Sequence, residues 1–98
     1  MIVAAIIEYS QDQELVGKHR PDHRAYLAKL LAEKKLVASG PFTDLWGALI
    51  IYQADSIEQA EAILKGDPFY HANVFLNYQL RPWKPVMSNA ELLPGAPS

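Results

Sequence analysis

The seven residues Lys18-His19-Arg20-Pro21-Asp22-His23-Arg24 gather two imidazoles, three cations and a carboxylate. Imidazole is the side chain whose ordinary titration range straddles neutral pH, so His23 is a candidate general base or hydrogen-bond donor. Arg20 is a candidate for orienting an anionic or carbonyl-bearing substrate, although an arginine more often simply pairs with a carboxylate. Pro21 suits the first turn of a helix, where a missing N–H costs nothing and φ is already near the helical value. Asp22 in that turn complements the positive end of the helix. The stretch therefore predicts a helix starting at Pro21, with His23 near its N-terminus. The competing reading is a solvated, charged helix start with no chemical role.

His19 and His23 stand four apart, a spacing that on a continuous helix suits a metal. Pro21 argues against a helix reaching back to His19, and beyond His71 or an aspartate no third ligand is evident. No metal is expected. A phosphate-cradling glycine loop is also absent from the sequence, so no cofactor is expected either. Phe42 and Phe69, with Tyr9 and Trp46, are candidates for an aromatic pocket wall, against the commoner use of such residues in core packing.

The elements that must position these residues are read from periodicity. Ninety-eight residues make one domain, and no cysteine is present for disulfides, thiolate metal sites or a cysteine nucleophile. The formal net charge of −2 gives no general attraction to nucleic acid or to anionic membranes. No apolar run approaches the ~20 residues of a membrane-spanning helix. The apolar start, Met1 to Ile7, lacks a basic leading region and a cleavage site, and so reads as a strand of a cytoplasmic protein. Ile2 to Tyr9 fits a strand buried on both faces. Ser10 to Gly17 reads as a polar loop, followed by a helix over residues 21–34 with Tyr26, Leu27, Leu30 and Leu31 at helical spacing.

Leu36 to Ser39 is a short strand ended by the Gly40-Pro41 breaker pair, and the brief loop after it makes Trp46 to Ala54 its hairpin partner. Ser56-Ile57-Glu58-Gln59 is a capping box opening a second helix, with Gly66 suited to its C-terminal end. Asp67 can cap a short further turn led by Pro68. A last strand spans residues 72–81, with Val74, Leu76, Tyr78 and Leu80 on one face. Residues 85–98, with Pro85, Pro94 and Pro97, form a tail without periodicity.

The order is β-α-β-β-α-β, an α+β fold of ferredoxin-like type: a four-stranded antiparallel sheet with two helices on one face. Two helices cover one face only, yet the first and third strands carry apolar residues pointing both ways. A second copy packed face to face removes that exposed patch and yields a dimeric α+β barrel. A homodimer is therefore expected, with higher assembly left open.

Arg20 followed three residues later by His23, the helix residues Tyr26-Leu27 and Leu30, Ser39-Gly40-Pro41, Asp67-Pro68-Phe69 and the closing Arg81-Pro82-Trp83 together resemble the YciI-like (YCII-related) family. The resemblance spans residues 2–84, so the domain is taken as 1–84. It implies a ferredoxin-like dimer and a pocket at the sheet edge containing a His–Asp pair, here His23 and Asp67, with Ser39 nearby. One branch of the family is associated with dehydrochlorination of a chlorinated hydroxyquinol. The short loop between Pro41 and Trp46, where relatives often carry an insertion, keeps substrate identity from being carried over.

The implied function is a small, cofactor-independent enzyme of lyase or isomerase type. It would use His23 and Asp67 as an acid/base pair on a small cyclic or aromatic molecule, with Arg20, Ser39, Phe42 and Phe69 binding the substrate. The alternative is a non-catalytic protein of the same fold that binds a small ligand. For Asp67 alone the simpler role is that of a helix cap.

Overall fold

The fold is described from a computed structural model, covering residues 1–93; Pro94 and Pro97 of the tail lie outside the described residues. Strand β1 (Ile2–Tyr9) leads into helix α1 (Gln13–Ala32), then β2 (Leu36–Pro41) and β3 (Gly47–Gln53). Helix α2 (Ile57–Lys65), the one-turn α3 (Pro68–His71) and strand β4 (Phe75–Trp83) complete the domain. A single 3-10 turn, Ala90–Leu92, interrupts the exposed tail. The sheet is four-stranded and antiparallel in the order β2-β3-β1-β4. This is the βαββαβ arrangement that the order of elements predicts.

Burial follows the period of two along the strands. Val3, Ala5 and Ile7 of β1 and Ala48, Ile50 and Tyr52 of β3 are buried, and they join Val16 and Leu30 of α1 and Ala60 and Leu64 of α2 in one core. The alternate residues lie on the other face, where Ile6 pairs with Leu49 and both are more than a third exposed. Trp83 and Val37 are also exposed.

Helix α1 departs from expectation. It begins at Gln13, eight residues before Pro21, with Asp12 as N-cap accepting from the Leu15 N–H at 3.1 Å. The cap and Glu14 in the first turn supply a helix start that Gly17 and Pro21 obscure in the sequence. Pro21 forfeits the bond its N–H would give to the Gly17 carbonyl. Both residues are exposed, so that carbonyl can turn to water. His23 consequently sits mid-helix rather than at a helix start. Val16, His23 and Leu30, seven residues apart, are the helix's buried positions.

Two register shifts re-aim side chains. In β2, Leu36 pairs with Tyr52 but Ala38 with Ile51, leaving Val37 as an extra residue. Ser39 is thereby placed opposite the inward-facing Ile50 instead of on the open face. In β4, Asn77 pairs with Glu8 but Phe75 with Tyr9, so Leu76 is the extra residue. Leu76 is exposed and Phe75 takes the buried place, which corrects the simple alternation expected through Val74, Leu76 and Tyr78.

The strands approach most closely at Gly47, where an added Cβ would overlap the carbonyl oxygen of Ile7 and crowd the Glu8 backbone. Gly47→Ala is therefore expected to lower stability by about 3 kcal/mol, as strained overpacking does. Urea unfolding checks this; an unchanged midpoint would mean that the strands separate at that point without cost.

Candidate active site

The site forms where the middle of α1 meets the junction of α2 and α3. Ser56 caps α2 by accepting from the Gln59 N–H, and the Gln59 side chain accepts from the Asp55 N–H. At the other end of α2, Gly66 is the C-cap in a right-handed conformation, so glycine is not required there for a left-handed turn. Asp67 follows at once and starts α3, its side chain accepting from the Phe69 N–H at 2.9 Å. Asn73, at φ 62°, closes α3 with the left-handed turn that asparagine tolerates. The Tyr26 hydroxyl donates to the Ile63 carbonyl at 2.7 Å and ties α1 to α2.

Within this frame the His23 Nδ1 lies 2.8 and 2.9 Å from the two carboxylate oxygens of Asp67, 44 residues away in sequence. Asp67 is fully buried and His23 nearly so. A carboxylate only accepts hydrogen bonds, so Nδ1 carries the proton and donates it. Nε2 has no hydrogen-bond partner among the described residues. The imidazole stacks on Phe69 with ring centres 3.9 Å apart and planes 7° from parallel, and meets Phe75 edge-on at 6.3 Å. Tyr9 completes the cluster, edge-on to Phe69 and stacked with Phe75.

A cavity of about 520 Å³ opens between α1 and the β2–β3 hairpin, a volume in the range of small-molecule sites. Helix α1 lines it with Gln13, Val16, Arg20, His23, Arg24 and Leu27, one continuous helical face. The hairpin contributes Ser39, Gly40, Pro41, Phe42, Thr43 and Leu45, and the sheet floor Tyr9, Gly47, Ala48 and Ile50, with Phe69 closing the end. Arg20, His23, Ser39, Phe42 and Phe69 are thus brought to one cavity. Asp67 does not line it and stands behind His23. Trp46 packs on Phe42 with ring centres 6.0 Å apart and is not in the cavity wall.

Gln13, expected in a polar loop, lies in the first turn of α1 and lines the cavity, and Arg24, although exposed, lines it as well. The misplacement of Gln13 comes from starting the helix at Pro21, and Asp12 as a helix cap is the signal that corrects it. Leu45, at φ 67°, holds a left-handed conformation unusual for a bulky residue, right at the cavity wall. The helix does run unbroken through His19 and His23, contrary to the Pro21 argument. Among the described residues, no group of three potential metal ligands forms around them.

Burial, then the Asp67 carboxylate, pushes the Tyr9 phenol well above the usual tyrosine range, while Arg20 pulls the other way. Burial and Asp67 likewise raise Tyr52, whose buried hydroxyl has no hydrogen-bond partner. Both phenols stay neutral in the folded chain. Because their folded pKa values exceed the unfolded value near 10, they favour the fold below that pH. This contribution fades as pH rises through the folded values. Of the five tyrosines, Tyr9 and Tyr52 should ionise only on unfolding, and the urea midpoint should fall above about pH 10. Alkaline ultraviolet titration checks this, five freely titrating phenols being the contrary result.

Asp67→Ala should cost about 2–4 kcal/mol, a lost cap plus a stranded buried donor. Asp67→Asn, which keeps the cap oxygen, should cost less. Denaturant titration of the two variants tests the order, and equal costs would mean that the retained amide oxygen contributes nothing as cap or acceptor and that the charge carries the whole effect.

Three comparisons place the chain among known proteins. It is 36% identical over 67 residues, 68% of this chain and 78% of the other, to the uncharacterized protein YjpA of Bacillus subtilis (strain 168). Its fold superposes on 5-chloro-2-hydroxyhydroquinone dehydrochlorinase from Burkholderia phenoliruptrix AC1100, solved in complex with 2,5-dihydroxybenzoquinone. The TM-score is 0.75 at 23% identity, covering 86% of this chain and 94% of that one. Residues 1–84 match the family model of the YCII-related domain, and the chain belongs to that family.

Proposed function

We propose that this protein is a small enzyme performing acid–base chemistry with His23 and Asp67 on a small cyclic or aromatic organic molecule. The observation that carries the reading is a buried imidazole at the wall of a cavity, with one nitrogen fixed by a fully buried carboxylate. With Nδ1 protonated, Nε2 holds the free lone pair of the neutral ring and is the atom that takes a proton. An acidic C–H or O–H of the substrate gives its proton to Nε2, and the imidazolium that forms is stabilised by Asp67. The electron pair left behind either collects the proton at another substrate atom, which is isomerisation, or expels a leaving group, which is elimination. The pair supplies this proton transfer without a cofactor.

Phe42 offers a ring face to a flat substrate, Phe69 is buried and backs the imidazole by stacking, and Arg20 and Ser39 offer hydrogen bonds at the rim. The dehydrochlorinase of the same fold supports the elimination branch as a kind of chemistry this architecture accommodates. Its substrate is not transferred to this chain. His23→Gln should lower kcat/KM by about 10²–10⁴-fold against any ring compound that the parent turns over, with the fold retained. Asp67→Asn should lower it too. Turnover unchanged in His23→Gln sinks the reading, and ligand binding with no turnover in the parent would favour a binding protein instead.

The reading includes a homodimer. Ile6 and Leu49 pair at the centre of the sheet face that no helix covers, with Val37 and Trp83 also exposed. A second copy packed on this face removes them from water. Light scattering at micromolar concentration should give twice the chain mass, and Leu49→Glu should halve it. A parent monomer would rule out the face-to-face assembly.

A further inference from the structure

Helix α1 carries Arg20 and Arg24 into the cavity wall together with His23. Four residues apart on one helix, the two arginines are neighbours on a single face, about 6 Å apart along the axis, with His23 on the same face. Neither makes an ion pair among the described residues; the pairs present are His23–Asp67 and Lys35–Glu33. Like charges at this spacing repel, and a salt partner on the helix would ordinarily relieve them. No aspartate or glutamate lines the cavity, and the one carboxylate behind the wall, Asp67, is committed to the imidazole. The chain as a whole is net negative, so this mouth is a local island of positive charge above largely apolar walls.

We propose that Arg20 and Arg24 form a carboxylate clamp, and that the cavity takes a small organic acid with an apolar ring-sized body and one carboxylate. A guanidinium is a planar fork that matches a carboxylate with two parallel hydrogen bonds, and two forks at the mouth hold such a group at the solvent edge. The body of the acid then points inward past Leu27 toward the His23–Phe69 stack. Arg24 becomes a specificity residue: it selects charge and does not touch the proton being moved. This deepens the acid–base reading by naming the substrate class, and it stands or falls on binding rather than turnover.

The test uses the full chain and two matched probe pairs, benzoate with benzamide and cyclohexanecarboxylate with cyclohexanecarboxamide, by isothermal titration at low and raised salt. At least one acid should bind ten or more times more tightly than its neutral amide, and the ratio should shrink as salt rises. Arg24→Gln and Arg20→Gln should each reduce the ratio several-fold, with circular dichroism and melting unchanged because both residues are exposed. His23→Gln should keep it. Equal binding of acid and amide, binding of neither, or an undiminished ratio in both arginine variants would overturn the clamp. Discrimination intact in His23→Gln alongside unchanged turnover would sink the acid–base reading while leaving the clamp standing.

Discussion

The buried pair between His23 and Asp67 is the constraint on which the site depends. An aspartate with no exposure is costly unless its oxygens are satisfied, and here they accept from an imidazole N–H and from the Phe69 backbone N–H. Removing one partner of such a pair leaves the other stranded, at a cost of several kcal/mol. That penalty holds the middle of α1 against the α2–α3 junction. It also fixes the tautomer of the ring, and so decides which nitrogen is left for chemistry. One contact thus sets both the packing of α1 and the state of its imidazole.

The rest of the site is arranged around that contact by small local departures from regularity. The extra residue at Val37 turns Ser39 toward the cavity, and the extra residue at Leu76 brings Phe75 under Tyr9. Bulges commonly re-aim side chains beside functional sites. The left-handed Leu45 shapes the hairpin end, where Asp44 accepts from the Trp46 N–H at 2.9 Å to tighten the turn. The sheet also divides labour between its faces. Its helix-covered side holds the core and the cavity floor, while the other side is an apolar surface centred on Ile6 and Leu49.

The inward face of α1 explains why this helix is an unusual one. A helix on a sheet normally shows an apolar stripe to the core. Here that stripe is broken in its middle by Arg20, His23 and Arg24, with Val16 and Leu30 anchoring the ends. The polar centre is tolerated because the helix spans the cavity at that point rather than packing solidly on the sheet. The cavity thus coincides with a local failure of amphipathicity in α1.

Sequence alone determined the element order, the sheet type and the helix-facing core, because strand and helix periods and capping residues such as Ser56 are local signals. The resemblance carried by Arg20, His23, Ser39 and Asp67 also brought the pair and the cavity rim into view. What tertiary structure alone decided was geometry that depends on distant partners. The start of α1 was hidden because Pro21 and Gly17 look like breakers, and only an exposed helix face makes the missing bond tolerable. The bulges at Val37 and Leu76 leave no local mark, since a register shift is a property of two strands and not of one. The placement of Arg24 at the cavity followed from how α1 lies across the β2–β3 hairpin, and the burial of Asp67 from the packing of α1 across its junction.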